Sequence, residues 1–146
     1  MDLKKDIKGR NDIKKLVKHF YSIAMPDPII GFFFTQVSPI DLDVHVEKVT
    51  DFWCAIIFGY DPLSDSKSGK AIKQLLNVHR EVDGKARIQT GHFTRWLHLF
   101  FVSIDVFYEG ERANALKDRA TKMASSMSDA LRSGRGEDRV GVESLR

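Results

Sequence analysis

The chain has 146 residues, 42% of them hydrophobic and 29% charged, with a formal net charge of +3. That length suits one domain with a real core. The composition is that of a soluble globular protein, the net charge is too small to indicate nucleic acid by itself, and no run of 18 apolar residues offers a membrane span.

The N-terminal stretch Met1–Arg10 carries charge but no apolar segment, so it does not read as a secretory signal. Residues 1–20 hold seven Lys/Arg against three Asp, and residues 21–59 one Lys against five acids. The basic stretch reads either as a solvated first turn or as a binding patch. Asn11 can cap a helix whose apolar positions are Ile13, Leu16, Val17, Phe20, Tyr21 and Ala24, and Pro26 and Pro28 stop it. A short apolar turn follows around Gly31. Asp41 or Asp43 opens a second helix with His45, Val49, Phe52 and Ile56 on one face and Trp53 beside them; Gly59 ends it. Residues 60–69 read as a turn-rich loop.

The spacing then predicts a helix from about Lys70 to Arg80, with Ile72, Leu75, Leu76 and His79 on its apolar face. A polar connector over Glu81–Gly91 leads to a long helix from Thr90, carrying Phe93, Trp96, Leu97, Phe100, Ile104 and Phe107 inward. The last helix, about Glu111–Leu131, buries Leu116, Ala120, Met123, Met127 and Leu131. Residues 133–146 read as a flexible tail after a domain spanning 1–132. No segment alternates like a strand, so the fold class is all-α.

Ten phenylalanines and two tryptophans are many rings for this length, suited to an aromatic core or to one that encloses a flat apolar ligand. The single cysteine, Cys54, has no internal partner and reads as a buried thiol in a reducing compartment, which makes the cytoplasm the default location. Of the five histidines, His19 and His98 read as boundary residues. His79 ends a short helix on its apolar face, where one ring nitrogen can enter an apolar slot while the other reaches a carbonyl, as a haem iron requires. Tyr21 and His45 lie on the apolar faces of two other helices. There is no HExxH, CxxC, P-loop, GxGxxG or nucleophile elbow. Periodicity alone leaves open that all these residues simply pack a helical bundle.

Several stretches, in order and over about residues 8–128, resemble the truncated hemoglobins, most closely their third group. They are Arg10-Asn11-Asp12-Ile13 with Leu16-Val17 and Phe20-Tyr21; Asp27 with Ile30-Gly31 and Phe34; His45 with Phe52-Trp53; His92-Phe93-Thr94-Arg95-Trp96-Leu97-His98-Leu99-Phe100; and Phe107-Tyr108-Glu109-Gly110-Glu111-Arg112-Ala113 with Arg119-Ala120. The resemblance implies a 2-over-2 globin-like helical sandwich around haem b. It implies His79 as the iron ligand, and Tyr21, His45 and Trp96 around the bound ligand. It implies Phe34, His45, Val49, Phe52, Trp53, Leu76, Phe93 and Trp96 as cofactor contacts. A diatomic gas, O2, NO or CO, would be the partner.

Two features depart from the family. The Asp61–Ser68 loop looks like an insertion, and Arg80-Glu81-Val82 after His79 is more polar than usual. They leave His92 as a second candidate for iron ligation. Lys70, Lys73, Arg80, Lys85 and Arg87 could meet haem propionates or form a solvated basic face. Reversible ligand binding, an NO dioxygenase or peroxidase supplied by a cellular reductase, and a haem-free interaction module all remain open.

Overall fold

The computed structural model describes residues 3–59 and 65–137, with the side chains of residues 65–71 outside the description. Among the described residues there are five α-helices, α1 (Arg10–Ala24), α2 (Leu42–Phe58), α3 (Asp65–Lys85), α4 (Thr90–Phe107) and α5 (Glu111–Gly134), with a π-helical turn at Phe33–Val37 between α1 and α2. No strand occurs among the described residues, in keeping with the expected all-α class. Helix α1 pairs with α2 and α4 with α5; α1 crosses α4, and α2 also meets α5. Helix α3 stands further out: among the described elements its backbone comes close only to α5 and the π-helical turn. The space between α2 and α3 is therefore not closed by helix-to-helix packing.

The sequence pattern of α1 is fully realised. Ile13, Leu16, Val17, Phe20, Tyr21 and Ala24 are all buried, at the three- and four-residue spacing that makes one face. Its N-cap is Gly9 rather than Asn11, which lies inside the first turn. Asp41 caps α2 by accepting the Val44 N–H at 3.3 Å, and Gly59, at φ 66°, ends it. In α2 the buried stripe is Val46, Thr50, Trp53 and Cys54. The expected face of His45, Val49, Phe52 and Ile56 is only half-buried. Both stripes are apolar enough to face inward; one is buried, and the other reaches the core only at its edge, His45 touching Tyr21 of α1.

Helix α3 corrects the sequence reading at both ends. It begins at Asp65 instead of about Lys70, and it continues through Glu81–Lys85, which had read as connector. A mostly polar helix gives little apolar period to detect, and an isolated glycine such as Gly84 is tolerated inside a helix at about 1 kcal/mol. Ile72, expected inside, is 45% exposed. Helix α5 runs three residues past the expected Leu131, to Gly134. Residues 135–137 of the expected tail are held against the end of α5 and against Asp83 of α3, whereas residues 138–146 and residues 60–64 of the proposed loop lie outside the described residues.

The N-terminal arm, read as plain charge in the sequence, is integrated into the fold. Ile7 is fully buried, and the Asp6 carboxylate accepts the Arg112 and Ala113 N–H groups at 2.9 Å each, capping α5 from far away in sequence. At the other end of α1 the chain reverses tightly. A Cβ on Gly31 would sit 2.2 Å from the Met25 carbonyl oxygen. Gly31→Ala is therefore expected to cost about 3 kcal/mol, lowering Tm by roughly 6–12 °C for a chain of this size. A calorimetric scan checks it, and an unchanged Tm contradicts it.

Candidate functional site

Two groups of side chains predicted for function occupy different parts of the molecule. The first gathers around Tyr21 on α1. The Tyr21 hydroxyl and His45 Nε2 are 2.8 Å apart. The Tyr21 ring also lies edge-on to Phe34 with centroids 5.5 Å apart. Phe20 leads from Tyr21 to Trp96. Trp96 stacks on Phe100 at 5.1 Å and on Trp53 at 6.4 Å, and Trp53 meets Phe52. Tyr21, His45, Phe34, Trp96, Trp53 and Phe52 thus form one continuous aromatic cluster. Val49 is half-buried against the same core.

The second group is on α3 and the start of α4. His79 stacks on Phe93 with centroids 6.2 Å apart, and Leu75 and Leu76 are half-buried beside it. No ring or hydrogen-bond contact joins this group to the Tyr21 cluster among the described residues.

The hydrogen bonds of the histidines determine their chemistry. His79 Nδ1 lies 2.8 Å from the Leu75 carbonyl oxygen. A carbonyl can only accept, so Nδ1 carries the proton and the Nε2 lone pair stays available. Burial pushes the His79 pKa down, against the opposing pull of Leu75, and so favours the neutral ring. His92 is the reverse case. Its Nδ1 accepts the Gln89 N–H at 2.9 Å as part of a capping box at the start of α4. A neutral His92 must then carry its proton on Nε2, which removes the lone pair a metal needs. Its ring packs on Phe33. His19 and His98 differ from each other: His98 is exposed, whereas His19 Nδ1 pairs with the buried Ser103 hydroxyl at 3.0 Å.

The Tyr21–His45 pair is neutral too. Burial holds the Tyr21 phenol far above its ordinary pKa, and burial together with Lys48 pushes His45 down. With His45 protonated at Nε2, it donates to Tyr21 and leaves the phenolic O–H free to donate elsewhere. In the other tautomer Tyr21 donates to His45.

Haem fits these residues on three observations. Phe34, Val49, Phe52, Leu75, Leu76 and Trp96 are large apolar side chains left only half-buried. Helices α2 and α3 do not close on each other. A neutral imidazole on α3 has an unspent lone pair. No cluster of three or more His, Cys, Asp or Glu able to hold a metal ion occurs among the described residues. Lys73, Arg80 and Lys85 are exposed, Arg87 lies 3.8 Å from Glu137, and the Lys70 side chain is outside the described residues.

One structural feature beside the aromatic cluster is not legible in the sequence. Asp27 is buried and accepts from Arg95 Nε at 3.0 Å and Nη2 at 2.7 Å, and from the Ile29 and Ile30 N–H groups at 3.0 Å each. This junction ties the end of α1 to α4 one residue before Trp96. Both residues stand inside the matching stretches, but nothing in their local spacing reveals that they pair.

The chain is 25% identical over 126 residues to "Group 3 truncated hemoglobin ctb" of Campylobacter jejuni, a match covering 84% of this chain and 91% of that protein. A crystal structure of the group III truncated hemoglobin from Campylobacter jejuni superposes with a TM-score of 0.68 at 24% identity, covering 88% of this chain and 95% of that one. No family model matches the sequence.

Proposed function

Because the chain is similar in fold and, over most of its length, in sequence to a group III truncated hemoglobin, we propose that it is a truncated hemoglobin that binds haem b through His79 and takes up O2 or another diatomic gas beside Tyr21. The observation that carries this reading is the His79 Nδ1 contact with the Leu75 carbonyl, which leaves Nε2 as a metal-binding lone pair. Haem, when bound, would supply an iron able to take up a gas.

His79 would hold the iron from the α3 side. Phe34, Val49, Phe52, Trp53, Leu76, Phe93 and Trp96 would exclude water and hold the flat ring. The Tyr21 hydroxyl and the Trp96 indole N–H would donate to a bound gas that carries partial negative charge, while His45 orients the Tyr21 hydroxyl. A hydrogen bond to a charged acceptor is worth about 1.5–3 kcal/mol, and about 1.4 kcal/mol is tenfold in an equilibrium constant. Two such donors would slow gas release by about a hundredfold.

Titration of the purified protein with haemin tests the reading. A one-to-one complex with a sharp Soret band is expected, and a protein that takes up none contradicts it. In the complex, Tyr21→Phe is expected to release oxygen about tenfold faster. Flash photolysis reads that rate, and an unchanged rate removes Tyr21 from the ligand's surroundings.

The number of donors around Tyr21 also favours a second reading. Tight retention suits conversion of the ligand, as in NO dioxygenation or peroxide chemistry with electrons from a cellular reductase, better than transport. Stopped-flow mixing of the oxygen-loaded protein with NO separates the two. Fast conversion to the ferric form followed by enzymatic re-reduction supports the enzyme, and slow conversion supports the carrier.

A further inference from the structure

Among the described elements the backbone of helix α3 comes close only to α5 and the π-helical turn, and His79 itself reaches α4 through the Phe93 ring, so few contacts fix where the imidazole stands. One of those contacts is polar and desolvated. Asp83 lies one helical turn beyond His79. Its Oδ1 accepts from Arg135 Nη1 at 2.8 Å and from the Ile88 N–H at 2.7 Å. The side chains of Arg135 and Asp83 are only 16% and 9% exposed. The pair is unlike the solvated ion pair between Lys122 and Asp118 on α5, at 72% and 58%, the sort worth little.

Arg135 is itself held in place. Gly136, at φ 77°, turns the chain at the end of α5. Glu137 N–H then reaches the Arg132 carbonyl at 2.8 Å, and the Glu137 carboxylate accepts from Arg135 Nε. The guanidinium is therefore gripped from both sides, by Glu137 behind and Asp83 in front. Such two-sided, charge-assisted contacts define orientation as well as energy. The same carboxylate fixes the turn from α3 into α4 through Ile88, whose side chain is buried.

We propose that the Asp83–Arg135 pair positions His79: the end of α5 locks the last turn of α3, and that lock sets the angle and reach of the imidazole toward the iron. This rests on the haem-binding reading above. Arg135 and Asp83 are positioning residues and touch neither the cofactor nor a gas. About 6 Å of rigid helix separates Asp83 from His79, so a shift at the lock is transmitted to the ring.

The test uses the haem-loaded protein with Arg135→Gln, Asp83→Asn and Arg135→Lys, and with Asp105→Asn as a control that breaks the exposed Lys117–Asp105 pair. Asp83→Asn keeps an acceptor for the Ile88 N–H. Three quantities are read: the iron–histidine stretching frequency by resonance Raman, the rate of haem loss to an excess of competing apoglobin, and amide exchange along the haem-free chain. Arg135→Gln and Asp83→Asn are expected to shift the stretch and to speed haem loss about tenfold. Faster exchange is expected in α3 alone. Arg135→Lys, which keeps the charge but not the two-sided grip, is expected to fall between Arg135→Gln and the parent, and Asp105→Asn to match the parent. Unchanged stretch and haem loss in both main variants overturn the proposal, as does exchange that rises equally in every helix, which would make the pair merely structural. A parent protein that binds no haemin overturns the functional reading and this inference together; a parent that binds haemin normally beside silent variants overturns this inference alone.

Discussion

His79→Gly is expected to lose stable haem, weakening its retention by more than about a hundredfold, while added imidazole restores the Soret band. Loss of a group that merely orients a metal ligand already costs 10–100-fold in affinity, and His79 is proposed as the ligand itself. The glycine leaves a gap next to Phe93 that free imidazole can enter. The helix around it does not depend on the ring, because the Nδ1 bond to Leu75 stays within one turn of α3. Circular dichroism of the haem-free variant is therefore expected to match the parent. The matched control is His92→Gly, which strips the Nδ1 acceptor from the Gln89 N–H and so costs about 1 kcal/mol of helix capping, with the Soret band intact. If His92→Gly bleaches the protein and His79→Gly does not, the ligand assignment is reversed. Spectra of the two variants with and without imidazole decide the matter.

Much of this was legible in the sequence because it depends on local order. The buried face of α1 follows from apolar spacing alone, as do the ends set by Pro26 and Gly59. The aromatic cluster was reachable through the family resemblance, since Tyr21, Phe34, His45 and Trp96 stand within its matching stretches. Helix α3 was misjudged because its ends are polar and carry Gly84, so its length follows from tertiary contacts and not from an apolar stripe. In α2, two adjacent apolar stripes compete, and only the packing of α1 and α5 decides which is buried. The resemblance points to His79 with His92 second, but the ring tautomers that distinguish the two are not legible in the sequence, because a tautomer is set by the neighbouring hydrogen-bond partner. Asp6, Asp27 and Asp83 share one property. Each accepts hydrogen bonds from residues distant in the chain or across a turn, and periodicity is blind to such pairings.

Asp27 offers the sharpest stability test. Its carboxylate serves four donors at once: two on the Arg95 guanidinium and the N–H groups of Ile29 and Ile30. Ile30 is itself buried, so Asp27→Ala leaves its N–H without an acceptor and without ready access to water. A cost of about 3 kcal/mol is expected, a Tm lower by roughly 6–12 °C. Asp27→Asn, which keeps acceptor oxygen but loses the charge, is expected to cost less. The Arg95 guanidinium, helped by the two N–H groups, holds the Asp27 carboxyl below the usual carboxylate range, although burial works in the opposite direction. The unfolded chain therefore binds a proton at higher pH than the folded one. The stabilisation from Asp27 is fully present above about pH 4 and disappears as the pH falls through the folded-state value. Urea unfolding of parent and Asp27→Asn between pH 6 and pH 3 reads this directly: the gap between them is expected to shrink as acid is added. A gap that stays constant would show that the carboxylate charge contributes nothing to holding the end of α1 against α4.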